Sequence, residues 1–280
     1  MTFFDISKYS HDTESRNFHL LEGGGMLTKG ETARRLHDIT SHEGKSFIVD
    51  DVRFGLSYAG VRLDEHRMGL AALLLHELPP GCSVFSDAGK LAGARASSLL
   101  VNLIEGHNPL EKALGIATAN AILHTTRIED ERDSLSIMKL TPEDRVAMVG
   151  LFTPMVPKIE ATGAKLSIIE RDASRIAVLD KKDADRILKE CSVAIITATT
   201  LLNDTLEEVL NSLGNPRHIS LLGPSTPLCP EIFQGTPVNH LGGAIVRDTK
   251  KVMQIISEGG GTRAMRPYLR FVNLLLSKIS

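Results

Sequence analysis

Apolar residues come in short runs along this chain, and their spacing differs between its two halves. In the first half, Ser46–Val52 and Gly55–Leu63 are rich in Phe, Ile, Val and Tyr, a pattern that predicts an antiparallel hairpin. Pro79-Pro80-Gly81 reads as a turn. Leu91–Glu105 carries many small residues ahead of Leu99, Leu100 and Val101, which predicts a closely packed helix with Gly106 as its terminating glycine. The next helix has an explicit start. Asn108 is a good N-cap, Pro109 suits the first helical position, and Glu111 completes a capping-box spacing. Leu110, Leu114, Ala117 and Ala121 then follow along one face.

The second half alternates between strand and helix patterns. Arg145–Phe152, Lys165–Glu170, Val193–Thr197 and Arg217–Leu222 are short aliphatic runs of the buried-strand type. Between them, Thr153–Thr162 (closed by Gly163), Asp183–Glu190 and Asp204–Leu213 read as helices. Such alternation predicts a mostly parallel sheet covered on both faces. The polar, charged stretch Thr125–Arg145 separates the halves. The expected class is therefore α/β overall. An α+β domain with an antiparallel sheet should occupy 1–138, with 1–17 loosely ordered, and a mostly parallel domain 139–280.

Composition narrows the function. The chain has 280 residues, 42% hydrophobic and 24% charged, which is ample for two ordinary globular domains. The formal net charge is −2, so the basic excess that drives nucleic-acid binding is missing. Three widely spaced cysteines without a C-x-x-C argue against a disulfide framework and fit a cytoplasmic location. Asp5, Lys8 and Asp12 interrupt the start where a signal peptide needs an apolar run, and no apolar stretch reaches membrane-spanning length. Neither nucleic acid nor membrane is expected as a partner, and homo-oligomerisation is left open.

Ligands of open parallel sheets bind beyond the carboxyl ends of the strands, so the chemistry is sought there. Gly150 stands alone after the first strand, without G-x-G-x-x-G or a P-loop, so no standard dinucleotide or nucleoside-triphosphate motif is present. Glu170 lies 20 residues beyond Gly150, where nucleotide folds place a ribose-binding carboxylate; it also reads as a solvated strand end. Thr197–Thr205 gathers more hydroxyl, amide and carboxylate side chains than helix capping needs, with Thr199, Thr200 and Asn203 as candidate ligand contacts. Asn203–Thr205 is also expected to present a helix N-terminus to an anion. Gly223-Pro224-Ser225-Thr226-Pro227 is a stiff polar loop in which Gly223 and Ser225 are candidates. The run Gly259, Gly260, Gly261 ahead of Arg263 either folds over an anion or links flexibly into a last helix. Asn120, about half a turn around its helix from Glu111, is placed to close the pocket. Glu111 itself is assigned to the cap. The histidines show no H-x-x-H or H-E-x-x-H spacing, and G-x-S-x-G does not occur.

Taken in order, NPLEKALGIATANA (108–121), VAMVGLFTPMVPKI (146–159), IIERD (168–172), ITATTLLNDTLEEVL (196–210), LLGPSTPL (221–228) and the glycine run at Gly259 resemble the putative heavy-metal chelation family. The resemblance implies an enolase N-terminal-like domain followed by a Rossmann-like domain. It also implies a binding or active site in the cleft between them, faced by the threonine-rich turn and the Gly-Pro-Ser-Thr loop. Three functions follow as expectations. The first is binding or processing of a small anionic, metal-chelating metabolite. The second is noncatalytic binding of a metal or metal complex, and the third a nucleotide-dependent transferase. No residue is assigned as a metal ligand or catalyst, and no cofactor is identified.

Overall fold

The structure, a computed structural model, describes residues 26–276 apart from 79, 82, 83, 125–127 and 129. The expected loose start at 1–17, Pro79, Cys82 and the beginning of the charged stretch lie outside the described residues. Helix α1 (Glu31–Gly44) is followed by strands β1 (Asp51–Phe54), β2 (Tyr58–Arg62) and β3 (Met68–Ala72) and a 3₁₀ turn at Leu75–Glu77. Then come α2 (Ala96–Leu100), α3 (Asn102–Glu105), α4 (Pro109–Ile122) and α5 (Ser134–Met138). The alternating part runs β4 (Arg145–Val149), α6 (Val156–Glu160), β5 (Lys165–Ile169), α7 (Lys181–Glu190), β6 (Val193–Thr197), a 3₁₀ turn at Ala198–Leu201, α8 (Leu206–Ser212) and β7 (His218–Leu222). After a 3₁₀ turn at Pro230–Phe233 the chain closes with β8 (His240–Val246), α9 (Thr249–Ser257), α10 (Thr262–Met265), a 3₁₀ turn at Arg266–Tyr268 and β9 (Leu269–Leu275).

The fold is α/β, as the alternation predicts. Strands β1-β2-β3 form an antiparallel sheet, and β5-β4-β6-β7-β8-β9 form a second, parallel except for β9 against β8. The parallel strands bury both faces. Val146, Met148, Val193 and Ile195 pack with Met138 and Ile159 under α5 and α6. Their neighbours Ala147, Val149, Ala194 and Ile196 pack with Leu206 and Leu210 of α8 on the other side.

The small sheet is covered on both faces too, by one helix from each half of the chain. Ala59, Val61 and Ala71 face α4, and Tyr58, Met68 and Leu70 face α9. Glycines make the approach possible. A Cβ on Gly69 would lie 2.0 Å from the Ala117 carbonyl oxygen and 2.3 Å from the Ala121 nitrogen, and one on Gly55 2.2 Å from the Ile256 carbonyl oxygen. The charged stretch thus separates the halves in sequence, while α9 packs across that line.

Local details depart from the sequence expectations. The first strand begins at Asp51 rather than Ser46, and Met68–Ala72 adds a third strand. Residues 91–95 stay outside the helix, which breaks at Val101 into α2 and α3. Gly106 has φ −59, so it is not a left-handed terminator; it is needed because a Cβ would lie 2.5 Å from the Asn102 carbonyl oxygen. The Asn108 cap of α4 forms as read, with Glu111 reaching one residue beyond the capping-box position. The Asn108 side chain accepts from the Leu110 and Glu111 N–H groups, and Glu111 reaches back to the His107 N–H at 2.7 Å. The helix expected after the glycine run is only the single turn of α10, and the last regular element is the antiparallel strand β9.

A buried polar network pins the amino ends of β7 and β8. His240 Nδ1 lies 2.8 Å from Ser220 Oγ and 3.3 Å from His218 Nε2, and His240 Nε2 lies 3.0 Å from Asn273 Oδ1 on β9. Burial pushes His218 down to about 4, with the neighbouring His240 adding to the effect, and burial lowers His240 as well. Nearby, Asp144 accepts two bonds from Arg217 and one from Ser192, which hold its carboxyl well below the usual range.

Two outcomes follow. Gly69→Ala is expected to lower stability by about 1–3 kcal/mol or more, read from the denaturant midpoint, because the α4 backbone leaves no room for a methyl group. A histidine depressed by folding stabilises above its unfolded value of about 6.5 and loses that contribution as pH falls through its folded value. Melting temperature should therefore fall from pH 6.5 toward pH 4, and less steeply in His218→Gln than in the native protein.

Candidate functional site

The strand order places a crevice. Chain order reverses between β4 and β6, since β5 lies on one side of β4 and β6 on the other. Connections leave the carboxyl ends of these two strands in opposite directions and open a gap between them. The structure has a cleft of about 1310 Å³ there, lined by residues following β4, β5 and β6 and by residues around β2, β3 and the Leu75–Glu77 turn.

At the floor, Gly150 has φ +82, and a Cβ on it would lie 2.5 Å from Thr197 Cγ2. Only glycine fits both the left-handed backbone and the contact across the switch point. Glu170 follows β5 directly and is 9% exposed. Its Oε2 accepts from the Leu151 N–H at 3.0 Å and from Arg175 Nη1 at 2.6 Å. Its Oε1 accepts from the Arg171 and Asp172 N–H groups at 2.8 and 3.2 Å. Arg175 Nη2 donates to the Leu151 carbonyl at 2.7 Å. One carboxylate thus ties the loop after β4 to the loop after β5.

The threonine-rich turn forms the next wall. Thr197 caps the 3₁₀ turn, accepting from the Thr199 N–H, and its hydroxyl lies 3.1 Å from that of Thr199. Thr200 donates to the Thr197 carbonyl at 2.7 Å. Asn203 donates its amide to both carboxylate oxygens of Glu77, at 3.1 and 3.3 Å, and accepts from the Thr205 hydroxyl at 2.8 Å. Asp204 lies ahead of the helix it was expected to open. It sits at φ +53, and α8 begins only at Leu206. The expected helix start at 203–205 falls at its last residue: α8 opens from Thr205 as N-cap with no side-chain cap, while the Thr205 N–H itself is taken by the Thr200 carbonyl. The Asp204 carboxylate instead meets Lys112 of α4, with Nζ 3.3 Å from Oδ1, an oxygen that has no hydrogen-bond partner among the described residues. Lys112 is 6% exposed and also donates to the Leu103 carbonyl at 2.9 Å.

The opposite lip comes from both ends of the chain. The Tyr58 hydroxyl lies 2.6 Å from Thr262 Oγ1, and burial raises the phenol above its ordinary value. Leu27 exchanges two backbone bonds with the Asn211 side chain, and Glu207 accepts from the Gly30 and Thr32 N–H groups. These contacts hold the 27–32 segment on α8.

Of the residues singled out in the sequence, Glu170, Thr199, Thr200 and Asn203 line the cleft together. Gly223, Ser225, Asn120, Gly259 and Gly260 do not. Ser225 is 1% exposed and accepts from the Ala72 N–H at 2.8 Å. Asn120 donates to the Leu70 and Ser225 carbonyls at 3.0 and 3.2 Å, so it fastens the small sheet to the loop after β7. Gly223 extends the β7–β8 ladder through its N–H to Gly242. Gly259 and Gly260 terminate α9, with N–H groups bonded to the Ile256 and Ile255 carbonyls and φ +78 at Gly259; only Gly261 and Thr262 of that run reach the cleft.

Sequence reading missed Glu77, Lys112, Tyr58, Arg175 and Thr262, and took Asp204 only as part of the polar turn and helix start. Lys112 was the detectable one, the single cation in the stretch Leu110–Ala121, next to the capping Glu111. Among the described residues no three of His, Cys, Asp and Glu converge as metal ligands. Burial holds the Cys191 and Cys229 thiols up at about 11 and about 12, away from the reactive thiolate.

Fold and crevice together define an α/β protein whose polar cleft opens at the switch point of a mostly parallel sheet. The profile of a family described as putative heavy-metal chelation matches residues 133–275, and a second profile of the same description matches 37–123; the chain belongs to this family. An uncharacterised protein of Methanocaldococcus jannaschii is 26% identical over 235 residues, covering 80% of this chain and 88% of the relative. A solved protein of unknown function from Pyrococcus horikoshii superposes with TM-score 0.75 at 20% identity, covering 88% of this chain and 100% of its own. Another from Desulfitobacterium hafniense gives 0.71 at 21%, covering 86% and 97%. Both solved proteins share the fold.

The buried pair behind the turn can be tested. Lys112→Met is expected to destabilise by about 2 kcal/mol, less than for a fully buried pair because Asp204 retains partial exposure. Adding Asp204→Gly, which removes the stranded carboxylate and suits the left-handed backbone, should restore part of the loss in a chemical denaturation series.

Proposed function

We propose that the cleft binds or processes a small anionic, metal-chelating metabolite, the organic ligand supplying the atoms that coordinate the metal. The observation that carries this reading is the convergence of Glu170, Thr199, Thr200 and Asn203 at the switch point with Glu77 from the other sheet. The cleft wall contains charges of both signs. Glu77, Asp172 and Asp185 accompany Arg171, Arg175 and Lys181. That mixture suits an anionic scaffold carrying a cation better than a simple anion.

Two other readings are weaker. A bare metal ion does not fit the described residues, because no three ligating side chains converge. A nucleotide is disfavoured by the state of Glu170. Its two oxygens already accept three backbone N–H bonds and the Arg175 pair, which leaves little capacity for ribose hydroxyls.

Native mass spectrometry with elemental analysis of the purified protein, followed by titration with iron(III)–citrate, tests the proposal. Binding is expected in the native protein and a loss of about tenfold or more in Thr199→Val or Asn203→Leu. Retention of a metal without any organic ligand would favour direct metal sequestration, and unchanged binding in both variants would place the ligand elsewhere.

A further inference from the structure

We infer that Arg175 is the group that recognises the anionic end of the ligand, a carboxylate or phosphate, and that Glu170 is a positioning residue that holds it there. The inference rests on the cleft reading above and adds which end of the cleft the anionic group meets.

Arg175 is the cleft cation with a buried anchor. Its guanidinium is fixed by Glu170 Oε2 at 2.6 Å and the Leu151 carbonyl at 2.7 Å, one acceptor from the loop after β5 and one from the loop after β4. Lys181, by contrast, pairs with Glu208 between two well-exposed side chains. A guanidinium has five N–H donors in a rigid plane, and the described contacts use two. Three donors therefore remain on a side chain that is 44% exposed at the cleft. A planar donor set held in advance loses less freedom on binding than a loose lysine, and it matches the two oxygens of a carboxylate or phosphate.

Glu170 has a different place. At 9% exposure, with Leu151, Arg171 and Asp172 N–H groups bonded to its oxygens, it stays a satisfied anion whether or not Arg175 turns to a ligand. It can hold the arginine without being consumed by it. The sequence suggested a ribose contact for this residue; the geometry makes it the anchor of the anion receptor instead.

The test is calorimetric titration of the purified full chain with citrate and with inorganic phosphate, at low and high salt, for the native protein, Arg175→Gln, Arg175→Lys and Glu170→Gln. Arg175→Gln should weaken binding of the preferred anion about tenfold to a hundredfold and flatten its salt dependence. Arg175→Lys should recover part of the affinity, because charge returns without the planar fork. Glu170→Gln should approach Arg175→Gln in affinity, since its amide donors face the Leu151 N–H and the guanidinium. A merely structural Glu170 would lower the melting temperature of Glu170→Gln and leave the anion dissociation constant unchanged, which overturns the positioning role. If Glu170→Gln fails to fold, the exposed Arg175 variants decide alone. Native affinity in Arg175→Gln, or failure of the native protein to bind either anion while it still binds iron(III)–citrate, overturns the assignment and leaves the cleft reading standing. Loss of chelate binding in Thr199→Val tests that reading separately. The preference between citrate and phosphate identifies which anionic group is read.

Discussion

The amide of Asn120 joins the two sheets. It donates at once to Leu70 of β3 and to the loop after β7, while Ser225 of that loop accepts from Ala72. These bonds are made in a seam where the α4 backbone already lies against Gly69 with no space for a side chain. An amide in such a place has few alternatives, because leaving a buried backbone carbonyl without a partner costs about 1–3 kcal/mol. The seam therefore fixes where the small sheet ends relative to the carboxyl edge of the large one. The Leu75–Glu77 turn follows β3 directly, so the same seam brings Glu77 to Asn203.

From that alignment the cleft acquires a wall that one half of the chain alone would not have. Asn203 is oriented by a carboxylate from the turn after β3, and Asp204 meets a lysine from α4. Glu170 and Gly150 organise the remaining side within the parallel sheet. Polar side chains that hold one another in this way are preorganised before any ligand arrives, which lowers the freedom lost on binding. Asp204 at φ +53 is the local strain in this arrangement, and its carboxylate meets Lys112 at 3.3 Å.

Charge in the cleft is mixed, and the mixture is ordered. Carboxylates that face the interior are bonded to N–H groups or cations, as at Glu170 and Glu207. Apolar residues surround them at the rim, including Met26 at 79% and Leu56 at 68% exposure. Single exposed apolar side chains are common, but these two come from distant segments to one opening. A ligand with a charged end and a less polar body would meet both kinds of surface.

The amino-acid sequence by itself determined the α/β class, the parallel alternation after Arg145 and the cap of α4. Each depends on neighbours within a turn or two, such as Asn108 with Glu111 or the aliphatic run Val193–Thr197. It also located Glu170, Thr199, Thr200 and Asn203, because strand ends in a parallel sheet lie side by side whatever else the chain does. Tertiary structure alone decided the rest. Asn120, Ser225 and the Gly259–Gly260 pair look like ligand contacts when read as polar loops and small residues. Packing uses them instead to join sheets and stop a helix. Lys112, Glu77 and Arg175 gain their places through partners 92, 126 and 24 residues away. The physical reason is range. Capping and periodicity act over a few residues and leave a local imprint, whereas a buried polar group takes its meaning from whichever distant acceptor the core presses against it.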